Sequence, residues 1–121
     1  MTRWLVDGMN VVGSRPTGWW RDRPAAMREL AAELASLAAR GDEVTVVFDG
    51  AAPEEPVEAP GVAVVFAPGG PDSADDRIVA ILEGEAEPAT VTVVTSDARL
   101  ERRVAELGAR VVGAGAFRSR L

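Results

Sequence analysis

The chain has 121 residues, a hydrophobic fraction of 47% and a formal net charge of −6 at pH 7, which is typical of one globular domain. Because it contains neither Cys nor His, the sequence excludes disulfides, thiolate metal sites, cysteine nucleophiles, and triads or zinc sites that need imidazole. All 13 basic residues are Arg, and the absence of Lys excludes a P-loop nucleotide site and Schiff-base chemistry.

The N-terminal part of the chain predicts a strand followed by a long helix. Thr2–Asp7 contains a continuous apolar run that is typical of a buried strand. A loop containing Gly and Pro follows, and a helix then begins at the N-cap residue Asp22, with Pro24 in its first turn. Gly41 ends this helix. Its apolar face consists of Met27, Leu30, Leu34, Leu37 and Ala38.

The middle of the chain predicts two further strands and a second helix. The second strand, "EVTVVFDG", ends at Asp49-Gly50, and the third strand, "GVAVVFA", follows a loop rich in Pro and Glu at positions 51–60. The second helix comes after "PGG", with Ser73 as its N-cap and Asp76 in the matching position of a capping box. Its apolar stripe consists of Ile78, Ile81 and Leu82.

The C-terminal part predicts a strand, a helix and a last strand. The fourth strand, "TVTVVTSD", ends at Asp97, and a third helix over Ala98–Leu107 is closed by Gly108. The fifth strand is "ARVVGAG", and the final "FRSRL" is too short to assign. Apolar strands that alternate with helices are typical of a parallel sheet covered on both faces. The sequence therefore predicts a single α/β domain over residues 1–121, without internal repeats.

Acidic side chains lie at the carboxyl ends of the predicted strands. The first, second and fourth strands end at Asp7, Asp49 and Asp97, and three further acids, Asp72, Asp75 and Asp76, precede or begin the second helix. In an open parallel sheet these positions meet at one edge, where ligands bind. Clustered carboxylates repel one another, and a cation relieves that repulsion. With oxygen ligands alone, the pattern predicts Mg²⁺ or Mn²⁺, and phosphodiester hydrolysis as the chemistry.

Most of these acids also have a structural explanation when each is taken alone. Asp49 before Gly50 fits an ordinary turn, and acids at the start of the second helix favour its dipole. Ser96-Asp97 fits a cap for the third helix. Asp7 is harder to explain in this way because it lies between two apolar segments. The conjunction of all of them at one edge favours a shared site.

Four segments in order carry a resemblance to a known family. "VDGMNVVG", "VVFDG", "ADDRIVAIL" and "VVTSDARL" resemble the NYN branch of the PIN-like ribonucleases, and most closely the bacterial YacP-like proteins. The resemblance extends from Leu5 to about Val112 and departs at Met9, where the family usually has Tyr. It implies a PIN-like three-layer α/β/α fold, with a mainly parallel central sheet of about five strands, and metal-dependent cleavage of RNA.

The resemblance also implies roles for individual residues. Asp7 would be the first metal ligand, and Asn10 would orient it or contact water or phosphate at the metal. The other expected ligands and catalytic acids are Asp49, Asp75 and Asp97, with Asp76 and Ser96 in secondary roles.

The basic residues are concentrated towards the two ends of the chain. Residues 41–90 carry a net charge of −11 (1 Arg against 12 acids), while residues 1–40 carry +2 and residues 91–121 carry +3. The segment "GSRPTGWWRDR" combines Arg with two Trp after the first strand, which suits single-stranded nucleic acid. The alternative is that both Trp side chains pack into the core, although we expect at least one to be exposed. The predicted RNA-binding residues are Arg15, Trp19, Trp20, Arg21, Arg23 and Arg99, and Arg102, Arg103, Arg118 and Arg120 could extend this surface.

The function expected from these features is that of a Mg²⁺- or Mn²⁺-dependent endoribonuclease acting on single-stranded RNA. Two alternatives stay open: an RNA-binding NYN module without catalysis, and a Mg²⁺-dependent phosphohydrolase of small molecules. The latter is disfavoured because Met9 stands where a dehalogenase-type enzyme needs a second Asp, and no Lys is present. No membrane-spanning run or signal peptide is recognised, so a cytoplasmic protein is expected. The RNA target, the number of metal ions and the oligomeric state, including a homodimer, are left open.

Overall fold

The computed structural model describes residues 1–70 and 72–121 of the chain. It contains five strands: β1 Arg3–Asp7, β2 Glu43–Asp49, β3 Val62–Ala67, β4 Val91–Val94 and β5 Arg110–Val112. The helices are α1 Gly8–Val12, α2 Arg23–Ala39, α3 Ser73–Glu83, α4 Ala98–Glu106 and α5 Ala114–Arg118, with short 3₁₀ helices at Trp19–Arg21 and Pro88–Thr90. Within the described ranges, no helix is both long enough and apolar enough to cross a membrane.

The five strands form one parallel sheet in the order β3-β2-β1-β4-β5. This arrangement confirms the predicted α/β fold. β1 lies at the centre, and the chain first moves outwards through β2 and β3 and then returns to the other side of β1 with β4. The strand order therefore reverses between β1 and β4, and the carboxyl ends of these strands flank the place where open α/β sheets bind ligands.

Helices cover both faces of the sheet and create two apolar cores. One core joins Trp4 and Val6 of β1 to α1, α2 and α5, while the other joins Leu5 of the same strand to α3 and α4. Successive side chains of a strand point to opposite faces. Asp7 therefore extends from the same face as Leu5, towards α3 and α4.

The segment after Asp7 differs from its prediction as a loop. It forms α1, whose Val11 and Val12 are buried against α2 and α5. A turn of five residues is too short to show helical periodicity in the sequence. Gly8 begins this helix in direct contact with Phe48, where a Cβ atom would overlap the aromatic ring. The strand can therefore pass into α1 immediately after Asp7 only because residue 8 has no side chain.

The start of α3 also differs from its prediction. Asp72, in the left-handed region at φ 65°, is the N-cap residue, and Ser73 is the first helical residue. The Ser73 hydroxyl donates to the carbonyl of Ala67 instead of closing a capping box with Asp76. The capping-box prediction is thus wrong, because the Ser73 hydroxyl is hydrogen-bonded to the last residue of β3. The strand β4 likewise ends at Val94, before the predicted Asp97.

Candidate active site

The carboxyl edge of the sheet carries the predicted acids on the α3 and α4 side. Asp7 ends β1, and Asp49 ends β2. Asp49 lies two residues after Val47 and so on the same face of the sheet, which packs against α3 and α4. Asp75 lies in the first turn of α3, and Asp97 is the N-cap of α4. Four acids from four different elements therefore meet at the reversal point of the strand order.

Asp7 is the buried centre of this cluster. Its side chain is 5% exposed, and its Oδ2 atom accepts a hydrogen bond of 2.9 Å from the hydroxyl of Thr95. Burial raises the pKa of Asp7 to about 7, with further contributions from the charges of Asp75, Asp49 and Asp97, while the Thr95 hydrogen bond opposes the rise. An ionised Asp7 is thus costly unless positive charge is supplied.

Asp75 experiences the same electrostatic environment from a half-buried position. Its pKa rises to about 6, mainly because of burial and then because of the charges of Asp97, Asp72 and Asp49. Arg103 lowers it only in part. Among the described residues, no hydrogen-bond donor contacts the Asp75 carboxylate. The charges of Asp49 and Asp97 thus raise the pKa of both Asp7 and Asp75.

Asp49 and Asp97 cap helices and still keep one oxygen each for other partners. Asp49 Oδ1 accepts from the backbone N–H of Ala74 at 2.9 Å, so the end of β2 caps α3. Asp97 Oδ1 accepts from the N–H groups of Arg99 and Leu100 at 2.9 and 3.0 Å. The capping role considered for Asp97 is confirmed. In the described part of the chain, Oδ2 of both residues has no hydrogen-bond donor, so capping and cation binding are compatible.

The loop after β4 is held in place by Asn10. The carboxamide oxygen of Asn10 accepts from the N–H of Ser96 at 2.8 Å, which joins α1 to this loop. The Ser96 hydroxyl accepts from the N–H of Ala114 at 2.8 Å and so fixes the start of α5 rather than the Asp97 carboxylate. Asn10 therefore positions the segment that carries Asp97, and its amide nitrogen remains a donor for a ligand.

Thr95 belongs to the site although the sequence-based reasoning missed it. It is fully buried, donates to Asp7, and accepts from the N–H of Asp97 at 3.1 Å. A signal in the sequence is a hydroxyl residue at the carboxyl end of β4, two positions before Asp97.

Replacement of Thr95 by Val tests its role. The change keeps the shape but removes the donor to Asp7 and the acceptor for Asp97, so we expect a loss of about 1–3 kcal/mol in the free energy of unfolding. The pKa of Asp7 should rise further, because the hydrogen bond that lowers it is gone. Urea unfolding at several pH values measures the two effects. A Thr95→Ser variant that keeps the hydroxyl is the matched control, and an unchanged pH profile in Thr95→Val would contradict the assignment.

Asp72 and Asp76 lie at the rim, where arginines of α4 engage them. Asp76 pairs with Arg103 at 3.1 Å, and Asp72 pairs with Arg99 at 3.8 Å. Both acids are exposed. The structure thus places Asp76 outside the buried group and pairs Arg99 with Asp72, while the RNA-binding role of Arg99 stays a prediction.

The donor set of the acidic cluster is suitable for a hard cation. As the side chains stand, no group of three or more acids within residues 1–70 and 72–121 is arranged to hold a metal ion. Nevertheless, Asp7, Asp49 and Asp97 each leave one carboxylate oxygen without a donor in the described chain, and Asp7 and Asp75 carry raised pKa values. Oxygen ligands and unrelieved repulsion fit Mg²⁺ or Mn²⁺.

The predicted RNA-binding aromatics lie together after α1. Trp19 and Trp20 meet edge to face with ring centroids 6.0 Å apart, and the guanidinium carbons of Arg23 and Arg21 each lie 6.0 Å from one of the ring centroids. Trp19 packs against the core, whereas Trp20 is 58% exposed. The expectation that at least one Trp is exposed is confirmed. Arg15 lines a cavity beside α5.

Comparison with known proteins agrees with this architecture. Residues 4–121 match the model of the YacP-like NYN domain family. The crystal structure of Rae1 (YacP) from Bacillus subtilis superposes with a TM-score of 0.74 and 25% identity, covering 99% of this chain and 73% of that chain. A point mutant of the same protein gives a TM-score of 0.75 and 26% identity, with 98% and 72% covered. A search among curated proteins found no match.

Proposed function

Since the chain belongs to the YacP-like NYN domain family, we propose that it is a metal-dependent endoribonuclease that hydrolyses phosphodiester bonds in single-stranded RNA. The observation that carries this proposal is the buried Asp7 at the reversal point of the sheet, surrounded by three further acids that raise its pKa. Clustered carboxylates around a buried Asp lower the stability of the fold. Arrangements of this kind are typical of sites that bind a ligand.

The cation would be held by Asp7 and Asp75, with Asp49 and Asp97 as further oxygen donors. When bound, Mg²⁺ or Mn²⁺ supplies positive charge for the phosphate oxygens and makes water a better nucleophile at neutral pH. No His, Lys or Cys is present to provide a general base, which makes carboxylates the natural partners of the attacking water.

The residues of the chain itself supply positioning and a path for the strand. Asn10 and Thr95 hold the loop with Asp97 against Asp7. The N-terminal ends of α3 and α4 lie at the site, where Asp49 and Asp97 accept from their first-turn N–H groups. The positive ends of the two helix dipoles favour anionic groups there. Trp20 with Arg21 offers an exposed surface on which a base can stack while a guanidinium contacts phosphate.

Metal titration and RNA cleavage together test the proposal. We expect cleavage of a single-stranded RNA in Mg²⁺ or Mn²⁺, loss of cleavage in EDTA, and weaker activity on duplex RNA and on a panel of nucleotides. Millimolar Mn²⁺ should raise the melting temperature, because an ion that binds only the folded state stabilises it. Glu87→Gln removes one exposed acid that precedes the amino end of β4, at the opposite edge of the sheet, and should leave both readouts unchanged.

Three results distinguish the proposal from its alternatives. Full cleavage in EDTA would exclude the metal-dependent mechanism. RNA binding without cleavage in any divalent cation would favour a non-catalytic module. Faster turnover of small phosphorylated molecules than of RNA would favour a phosphohydrolase.

A further inference from the structure

A polar cavity lies outside the acidic cluster, between the end of α1 and α5. Its volume is about 170 Å³, and its lining residues are Ser14, Arg15, Gly115, Arg118 and Ser119. Two of these five residues are arginines, and no acidic residue lines the cavity. Its chemistry is therefore that of a site for an anion.

Arg118 is a buried cation whose hydrogen bonds are incomplete. It is 9% exposed, and its Nη1 donates to the carbonyl of Val11 at 2.8 Å. Its Nη2 reaches Glu33 only at 3.5 Å, and within the described chain Nε has no hydrogen-bond partner. A buried charge is costly unless it is fully paired. One distant carboxylate compensates this guanidinium only in part.

Arg15 adds a second positive charge to the same cavity. Its side chain is exposed, and its charge lowers the pKa of Arg118 beyond the effect of burial. Two guanidinium groups on one cavity repel each other, and an anion between them relieves this repulsion. The planar fork of Arg matches the oxygens of phosphate.

The cavity is connected directly to the candidate active site. α1 begins after Asp7 and ends beside the cavity, and a helix of five residues spans roughly 7 Å. α5 begins at Ala114, which is hydrogen-bonded to Ser96, and carries Arg118. One strand of duplex DNA advances by about 3.4 Å per nucleotide, so a length of this order corresponds to a small number of nucleotides. The cavity is thus a few nucleotides from the acids.

We propose that Arg15 and Arg118 bind a phosphate group of the RNA strand a few nucleotides from the bond that is cleaved. This inference rests on the proposed function, since it assigns a subsite for the same substrate. The buried Arg118 supplies a fixed positive charge, held in place by the Val11 carbonyl, and the exposed Arg15 contacts the phosphate from the solvent side.

The test measures RNA binding in an Asp7→Asn background, in EDTA, so that cleavage does not interfere. Arg15→Gln and Arg118→Met are each added, and the dissociation constant for a single-stranded RNA is measured between 50 and 200 mM salt. Loss of one phosphate contact should make the slope of log affinity against log salt less negative by about 0.7. Arg110→Gln is the control, because it removes one exposed Arg from the amino end of β5. It should leave the slope unchanged.

The outcomes separate this inference from the proposed function. Slopes equal to that of the Asp7→Asn parent in both folded variants overturn the inference alone, whereas absence of RNA binding and cleavage by the wild type in Mg²⁺ or Mn²⁺ overturns both. If Arg118→Met fails to fold, the salt slope of the exposed variant Arg15→Gln decides whether the inference holds. Oligonucleotides with a 5′-phosphate and a 5′-hydroxyl identify the source of the phosphate: an Arg118-dependent preference for the former assigns a terminal group, and equal slope changes assign an internal one.

Discussion

Replacement of Asp7 by Asn is expected to abolish RNA cleavage while making the metal-free protein more stable. Asn keeps the size of the side chain and an oxygen that accepts from Thr95. It removes the charge that burial and three neighbouring acids disfavour. A rise of the pKa from 3.8 to about 7 corresponds to a penalty on the order of 4 kcal/mol for the ionised form. We expect a gain of roughly 2–4 kcal/mol at pH 8, because part of this penalty is relieved by local relaxation.

The pH dependence of this gain has a definite sign. Because the pKa of Asp7 is higher in the folded state, the folded protein binds the proton more tightly, and its stability falls as pH rises from about 4 to about 7. Above that range both states are ionised and the loss is complete. The difference between wild type and Asp7→Asn should therefore be small at pH 4 and largest at pH 8. Urea unfolding in EDTA at several pH values measures it.

Cation binding should reverse this order of stability. Millimolar Mn²⁺ is expected to stabilise the wild type and to leave Asp7→Asn nearly unchanged, while cleavage by the variant falls by more than about 100-fold, beyond the effect usual for residues that only support metal ligands. Lower stability of Asp7→Asn at pH 8 in EDTA would show that the Asp7 charge supports the fold. That result would contradict the assignment of Asp7 to a functional cluster.

Asp97 has two roles, and a pair of substitutions separates them. Asn is as good an N-cap as Asp, so Asp97→Asn should keep the bonds to Arg99 and Leu100 and the stability of α4. Asp97→Ala loses the cap and should cost about 1 kcal/mol. Both variants remove the carboxylate that raises the pKa of Asp75. Cleavage should fall by about 100-fold or more in both, although only one is destabilised.

Thermal or urea unfolding of the two Asp97 variants, together with initial rates of RNA cleavage, provides the measurement. Asp22→Asn at the start of α2 is a matched control, because Asp22 caps its helix in the same way through Ala25 and lies outside the acidic cluster. Asp97→Asn with wild-type activity would reduce Asp97 to a helix cap.

The order and type of most elements could be predicted from local patterns. Continuous apolar runs such as Trp4-Leu5-Val6 report burial on both sides of a strand, and the face from Met27 to Leu37 reports a helix. These patterns predict a parallel sheet, and a parallel sheet brings Asp7, Asp49 and the acids of α3 to one edge. α1 and α5 escaped prediction because five residues are too few to define a period.

The sequence by itself thus determined which side chains gather at the carboxyl edge. Apolar strands that alternate with helices predict a parallel sheet, and the strands of a parallel sheet all end at the same edge. Only the tertiary structure decided how those side chains are used. Thr95 bonds to Asp7 across 88 positions, and Arg118 bonds to Val11 across 107. Such contacts depend on the order of strands in the sheet and on the side to which each helix packs. No local pattern encodes that order, because every strand here has the same apolar character.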